Sequence, residues 1–202
     1  NLDPTSLAQF EAVAPPEEIA TAPILSYRTE AYGGPVDSLV VLSFGNRIAP
    51  DGTVHVSTDG GATWQPTIAV DDDVHQVLAH PTDPAIVVAA ASVGLCRSTD
   101  GGATWRASTD GMHASYARAV VFVGDDVLVS VSDGPFTTRG ALYRAPVAGG
   151  PGAKAVKVAG GLPDWLDGNV DTGCLAANAK QVALADDSGN VWASPADHDE
   201  WT

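Results

Sequence analysis

Short apolar runs, separated by turn-forming residues, recur along the chain at lengths that suit β-strands. Three of them open a repeating unit: Val74 to Ala79, Arg118 to Val123 and Cys174 to Ala177. A turn follows each, built on Pro81-Thr82-Asp83-Pro84, Gly124-Asp125 or Asn178-Ala179. Beyond it comes a more continuous apolar run, at Ile86 to Ala91, Val127 to Val131 and Val182 to Ala185, with Leu39 to Phe44 as the counterpart earlier in the chain. Runs apolar on both faces fit strands buried between neighbouring sheets. A third strand and then a fourth, clearest at Trp64 to Val70, complete the unit. The pattern predicts an all-β chain of four-stranded antiparallel units, and 21 Gly and 14 Pro supply the punctuation such a chain needs.

The units are copies of one another. Ser57-Thr58-Asp59-Gly60-Gly61-Ala62-Thr63-Trp64 recurs unchanged as Ser98-Thr99-Asp100-Gly101-Gly102-Ala103-Thr104-Trp105, 41 residues later. Two weaker copies are found through the strand that precedes the motif. Gly52-Thr53-Val54-His55-Val56-Ser57 matches Gly189-Asn190-Val191-Trp192-Ala193-Ser194, which places Trp201 where Trp64 stands. Gly140-Ala141-Leu142-Tyr143-Arg144-Ala145 mirrors Val93-Gly94-Leu95-Cys96-Arg97-Ser98, although its loop has lost the Asp and the Trp. The spacings are 41, 47 and 49 residues, the drift expected of variable loops on a fixed scaffold. Repeats of this length with four short strands are propeller blades. The expected blades are 24–70, 71–110, 111–163 and 164–202, the last incomplete, after an extended connection over 1–23 that contains Pro15-Pro16 and Glu17-Glu18.

The motif has the chemistry of a tight turn. Its Asp accepts backbone N–H bonds, its Gly pair takes positive φ, its Thr adds a hydroxyl, and its Trp offers an apolar face with one indole N–H. One carboxylate per loop falls short of the roughly six to eight oxygens that calcium takes, so no metal is expected. The two full copies resemble the Asp-box, or bacterial neuraminidase repeat, of pattern Ser/Thr-x-Asp-x-Gly-x-Thr-Trp/Phe, and the resemblance covers about residues 38 to 202. It implies a β-propeller with Asp-box turns, and structural roles at the rim for Ser57, Asp59, Gly61, Thr63 and Trp64 and for Ser98, Asp100, Gly102, Thr104 and Trp105. The family includes sialidases, xyloglucan-active glycoside hydrolases, photosystem assembly factors and sorting-receptor ectodomains, so it implies no one activity.

Ligands of such propellers engage the central face, lined by the first strands and the loops entering them. The repeat alignment places Asp73, His75 and Gln76 there, then Tyr116 and Arg118, then Asn169 and Asp171, with Tyr27, Arg28 and Glu30 from the first unit. Such a ring can bind sugars or a peptide, or run acid/base chemistry on paired carboxylates. It is also what a water-filled channel requires with no function at all. The resemblance to sialidases is thin. Their Arg-Ile-Pro motif is only echoed by Asn46-Arg47-Ile48-Ala49-Pro50, expected in a loop after the second strand, and of seven arginines only Arg28 and Arg118 reach channel positions. The leading expectation is a non-catalytic propeller that binds a ligand or protein partner. The alternative is a glycoside hydrolase or sialidase-like enzyme using channel carboxylates such as Asp73 and Asp171, and a third is a purely structural module.

Composition narrows the partners. A net charge of −15 repels nucleic acid and anionic membrane, leaving carbohydrate or protein. No uninterrupted apolar stretch spans a bilayer, and no cofactor motif is present. Cys96 and Cys174 lack metal spacing and are expected as buried thiols; a disulfide between them needs Cα atoms within about 7 Å. The chain opens on Asn1 and ends at Thr202, inside a repeat, which favours a fragment of a six- or seven-bladed ring. A four-bladed ring closed by Ile24 to Thr29 and a pairing of two copies are the competing expectations. A processed or trimmed N-terminus leaves both a secreted and a cytoplasmic location open.

Overall fold

The computed structural model describes residues 45–48, 54–57, 63, 65–67, 73–150 and 152–202. The expected N-terminal connection, the strand at Leu39 to Phe44 and most of the first box, including Asp59, Gly61 and Trp64, lie outside the described residues. Within them the chain forms four antiparallel meanders. The first is β1 (Gly45–Ile48), β2 (Val54–Ser57) and β3 (Gln65–Pro66). The second is β4 (Val74–Ala79), β5 (Val87–Ala91), β6 (Gly94–Ser98) and β7 (Arg106–Ser108). The third is β8 (Tyr116–Val123), β9 (Asp126–Ser132), β10 (Ala141–Pro146) and β11 (Val156–Lys157). The fourth is β12 (Leu175–Ala177), β13 (Gln181–Ala185) and β14 (Val191–Pro195). Thr202 exchanges both backbone bonds with Ala193 at 3.0 Å, beside β14 where a fourth strand would run.

Two expectations need correction. Asn46 to Ile48 form strand β1, paired Ile48↔Val54 through Gly45↔Ser57, and are not loop. The turn signal Pro50-Asp51-Gly52, not the end of the apolar run at Phe44, marks how far the ladder extends. Cys174 is exposed, because the strand starts one residue later and leaves it in the preceding turn; Cys96 is buried as expected.

The cores lie between sheets. On β9, Val127, Val129 and Val131 pack toward the second sheet with Val88, Ala90 and Leu95, while Leu128 points the other way, toward Leu175, Val182 and Leu184 of the fourth. On β5, Val87, Ala89 and Ala91 join Val54 and Val74, so that strand too is apolar on both faces because each face has its own neighbour. The sheets are therefore blades of a partial β-propeller. β4 lies beside β8, and β8 beside β12, which makes these the inner strands.

Each blade is also tied to the next by polar contacts at one end. Around the second box, Asp100 Oδ1 accepts the Thr104 N–H at 2.8 Å, Oδ2 takes the Thr104 hydroxyl at 2.6 Å, and Ser98 Oγ accepts the Gly102 N–H at 2.8 Å. These bonds hold the Asp100 carboxyl down at about 2. The closed loop aims Trp105, whose Nε1–H reaches Gly102 O at 2.8 Å and Thr67 Oγ1 of the preceding blade at 3.0 Å. Trp201 is 3% exposed in the equivalent place, where its backbone N–H, rather than its indole, bonds Gly160 O of the blade before. The third unit, lacking that Trp, is held by Arg97, which donates to Pro146 O at 3.1 Å. Arg144, the repeat equivalent of Arg97, grips Asp199 at 2.6 Å and Asp126 at 3.5 Å.

Candidate functional site

The register puts the box loops and the entry to the inner strands at opposite ends of a blade. Val74 pairs with Ala91 and Ala91 with Gly94, whereas the second box leaves β6 at Ser98, beside Val87 and the far end of β4. Asp73 and Tyr116 thus share the end away from the boxes.

Local irregularities gather at that end. β4 skips a partner between Val74 and Gln76, and β8 between Ala117 and Val120. Bulges re-aim side chains and free backbone N–H groups that then need other acceptors. Ser130 Oγ accepts the Ala119 N–H at 2.9 Å and donates to Val170 O at 2.8 Å, and Gln76 Oε1 accepts the Val120 N–H at 2.9 Å. Asp73 has φ +41°, the one non-glycine residue with positive φ among the described residues. A carboxylate residue tolerates that conformation better than most, but it still costs energy, and such strain clusters at functional sites.

The side chains then form one line across three blades. His75, 2% exposed, places Nδ1 2.7 Å from Ala117 O; a carbonyl only accepts, so Nδ1 donates, and Nε2 faces Asp73 Oδ2 at 3.2 Å. Tyr116 meets the His75 ring edge-on at 4.8 Å between centroids, and its hydroxyl accepts from Arg118 Nη1 at 3.2 Å. Arg118 Nε contacts Asp171 Oδ1 at 2.5 Å. Thr172 Oγ1 lies 3.1 Å from His75 O and 2.9 Å from Arg118 O, so one hydroxyl proton locks all three inner segments together. The Asp73 and Asp171 side chains keep 58% and 41% of their exposure, enough for both to meet a ligand while His75 and Arg118 beside them stay covered.

Asp73, His75, Tyr116, Arg118 and Asp171 are thus brought together. Gln76 and Asn169 have other work. Gln76 satisfies the bulge of the neighbouring blade. Asn169 is 3% exposed, its Oδ1 accepting from the Ser132 hydroxyl at 2.7 Å and its Nδ2 donating to Pro135 O at 3.1 Å and Gly134 O at 3.4 Å. Tyr27, Arg28 and Glu30 lie outside the described residues. Sequence reasoning missed Thr172 and Ser130, whose hydroxyls join the inner segments; both sit at bulges or in a turn, where the apolar pattern carries no signal.

No family model matches the chain, and no curated protein matches it significantly. Among solved structures it is similar to an ancestral GH74 enzyme, at 20% identity and TM-score 0.58 over 77% of this chain and 22% of that one. It is similar to the GH74 enzyme of Niastella koreensis at 19% identity and TM-score 0.54, over 75% of this chain and 26% of that one. The GH74 xyloglucanase of Xanthomonas campestris gives 16% identity and TM-score 0.50, over 78% and 29%. At such identities the likeness is one of fold. The chain spans between 22% and 29% of the length of these enzymes.

Proposed function

We propose that this propeller binds a neutral polysaccharide at its central face, through Asp73, Tyr116 and Asp171. The observation that carries the reading is the continuous line Asp73–His75–Tyr116–Arg118–Asp171, in which a covered imidazole orients one exposed carboxylate and a covered guanidinium the other. Carboxylates fixed in this way accept hydroxyl donors without reorganising, and a tyrosine beside them offers both a ring face and a hydroxyl. The fold likeness to a xyloglucanase makes xyloglucan oligosaccharides the first ligands to try. Titration calorimetry tests it: the parent chain binds, and Asp171→Asn weakens binding roughly tenfold through loss of a charge-assisted hydrogen bond. A parent chain that ignores every neutral oligosaccharide would sink the reading.

A second reading, glycoside hydrolysis, is favoured by the GH74 likeness and by two solvent-reaching carboxylates, one on the second blade and one on the fourth. Release of reducing ends from xyloglucan separates the two readings. A hydrolase loses about 10²–10⁴-fold in rate in Asp73→Asn or Asp171→Asn, whereas a binding module releases none.

A further inference from the structure

We propose a second binding site, for the carboxylate of a uronic-acid sugar, where Arg139 and Lys157 converge on Trp165. It does not depend on the central-face reading. The three residues come from the β9–β10 loop, from β11 and from the segment after it, at the same end of the third blade as Tyr116 but on its outer strands.

Arg139 Cζ lies 4.4 Å and Lys157 Nζ 3.7 Å from the centre of the Trp165 ring. Lys157 also donates to the Asp164 carbonyl. Neither cation has a carboxylate ion pair among the described residues, whereas Arg118 pairs with Asp171 and Arg144 with both Asp126 and Asp199. In a chain with 25 acids and 10 bases, Arg139 and Lys157 are the two cations that gather on one indole among the described residues, neither of them ion-paired to a carboxylate there. The ring quadrupole attracts each of them but leaves their mutual repulsion unrelieved. A bound carboxylate relieves it.

The surroundings are preset for this. The His113 backbone N–H donates to Tyr143 Oη at 3.1 Å, and that hydroxyl donates in turn to His113 Nδ1 at 2.9 Å. His113 Nε2 is then the protonated nitrogen and donates to Arg139 O at 3.1 Å, fixing the backbone that carries the guanidinium. Burial, together with the two cations, lowers His113 below its ordinary value, so the ring serves as a neutral brace. The same loop is pinned by the Asn169 amide to Gly134 O and Pro135 O and by the Arg139 N–H to Thr137 Oγ1 at 2.8 Å. At its tip Phe136 is 99% exposed. The loop thus carries a bare aromatic ring three residues before its stacked arginine, an apolar face and a positive charge on one pinned segment. A uronate has both complements, a flat C–H face and a carboxylate.

The test uses the whole chain with trigalacturonate, followed by calorimetry and tryptophan fluorescence at pH 7, with cellotriose as the neutral control. The expected result is saturable binding of trigalacturonate that is weakened roughly tenfold by Arg139→Gln or Lys157→Gln and largely kept by Arg139→Lys, while none of these variants alters the response to cellotriose. Asp171→Asn leaves it unchanged, which separates this site from the central one. Near-UV circular dichroism checks that each variant folds. The proposal is overturned if the parent does not bind trigalacturonate, if cellotriose displaces it, or if folded Arg139→Gln and Lys157→Gln bind as the parent does. Tighter binding of a glutamate-rich hexapeptide would overturn it in favour of an acidic protein partner.

Discussion

At the residue scale, titration reports on single contacts. The Asp100 carboxyl is held at about 2, first by the Thr104 hydroxyl and backbone bonds and then by Ser98. A depressed carboxylate adds stability above its unfolded value, near 4, and loses it as pH falls through the folded one. Melting temperature should therefore fall as pH drops from about 4 toward 2, and less steeply in Asp100→Asn. His113 is lowered instead, by burial before any other cause. A lowered histidine favours the folded state above its unfolded value and costs stability as pH falls below about 6.5, where the unfolded chain takes up the proton first. His113→Gln should flatten the part of the stability profile between pH 7 and 5. Gln76 provides a hydrogen-bond test without titration. Gln76→Leu strands the Val120 N–H released by the β8 bulge and should cost about 1–3 kcal/mol in urea unfolding.

At the scale of the element, the strands were readable and their irregularities were not. Val74 to Ala79 is a strand at the residues expected, because a run between turn signals has few other uses. The bulges in β4 and β8 leave no trace in the apolar pattern, since each inserts a residue where either face would accept it. The inner placement of Asp73, His75, Tyr116, Arg118 and Asp171 followed from aligning repeats, but the burial of Asn169 did not, because it depends on a loop peculiar to one blade. The cluster of Arg139, Lys157 and Trp165 was invisible for a similar reason: no repeat and no spacing relates its members. Leu142 tests the packing between blades. It is 1% exposed within the core shared by the third and fourth sheets, and Leu142→Ala should cost about 2–5 kcal/mol by chemical denaturation, the spread depending on how far the cavity collapses.

For the whole molecule, the dominant physical term is charge. A net −15 on a chain of 202 residues sets up self-repulsion that compact folding intensifies. Raising sodium chloride from about 0.01 to 0.15 M shortens the screening length from about 30 to 8 Å, so the melting temperature should rise. A fall would mean that the ion pairs at Arg118 and Arg144 outweigh the repulsion.

The ties between blades have a further consequence. The Trp105 indole reaches back to Thr67, the Trp201 backbone to Gly160, and the side chains of Arg97 and Arg144 reach forward to the loops of their successors. The second and third blades therefore each hold contacts to the neighbour on both sides. A unit built in this way is complementary to its own duplicate, so copying the coding segment for one blade yields a product that already fits beside the original. The contacts that fasten the ring are thus also those that let it lengthen by tandem duplication, and the two identical boxes 41 residues apart are the mark such a history would leave.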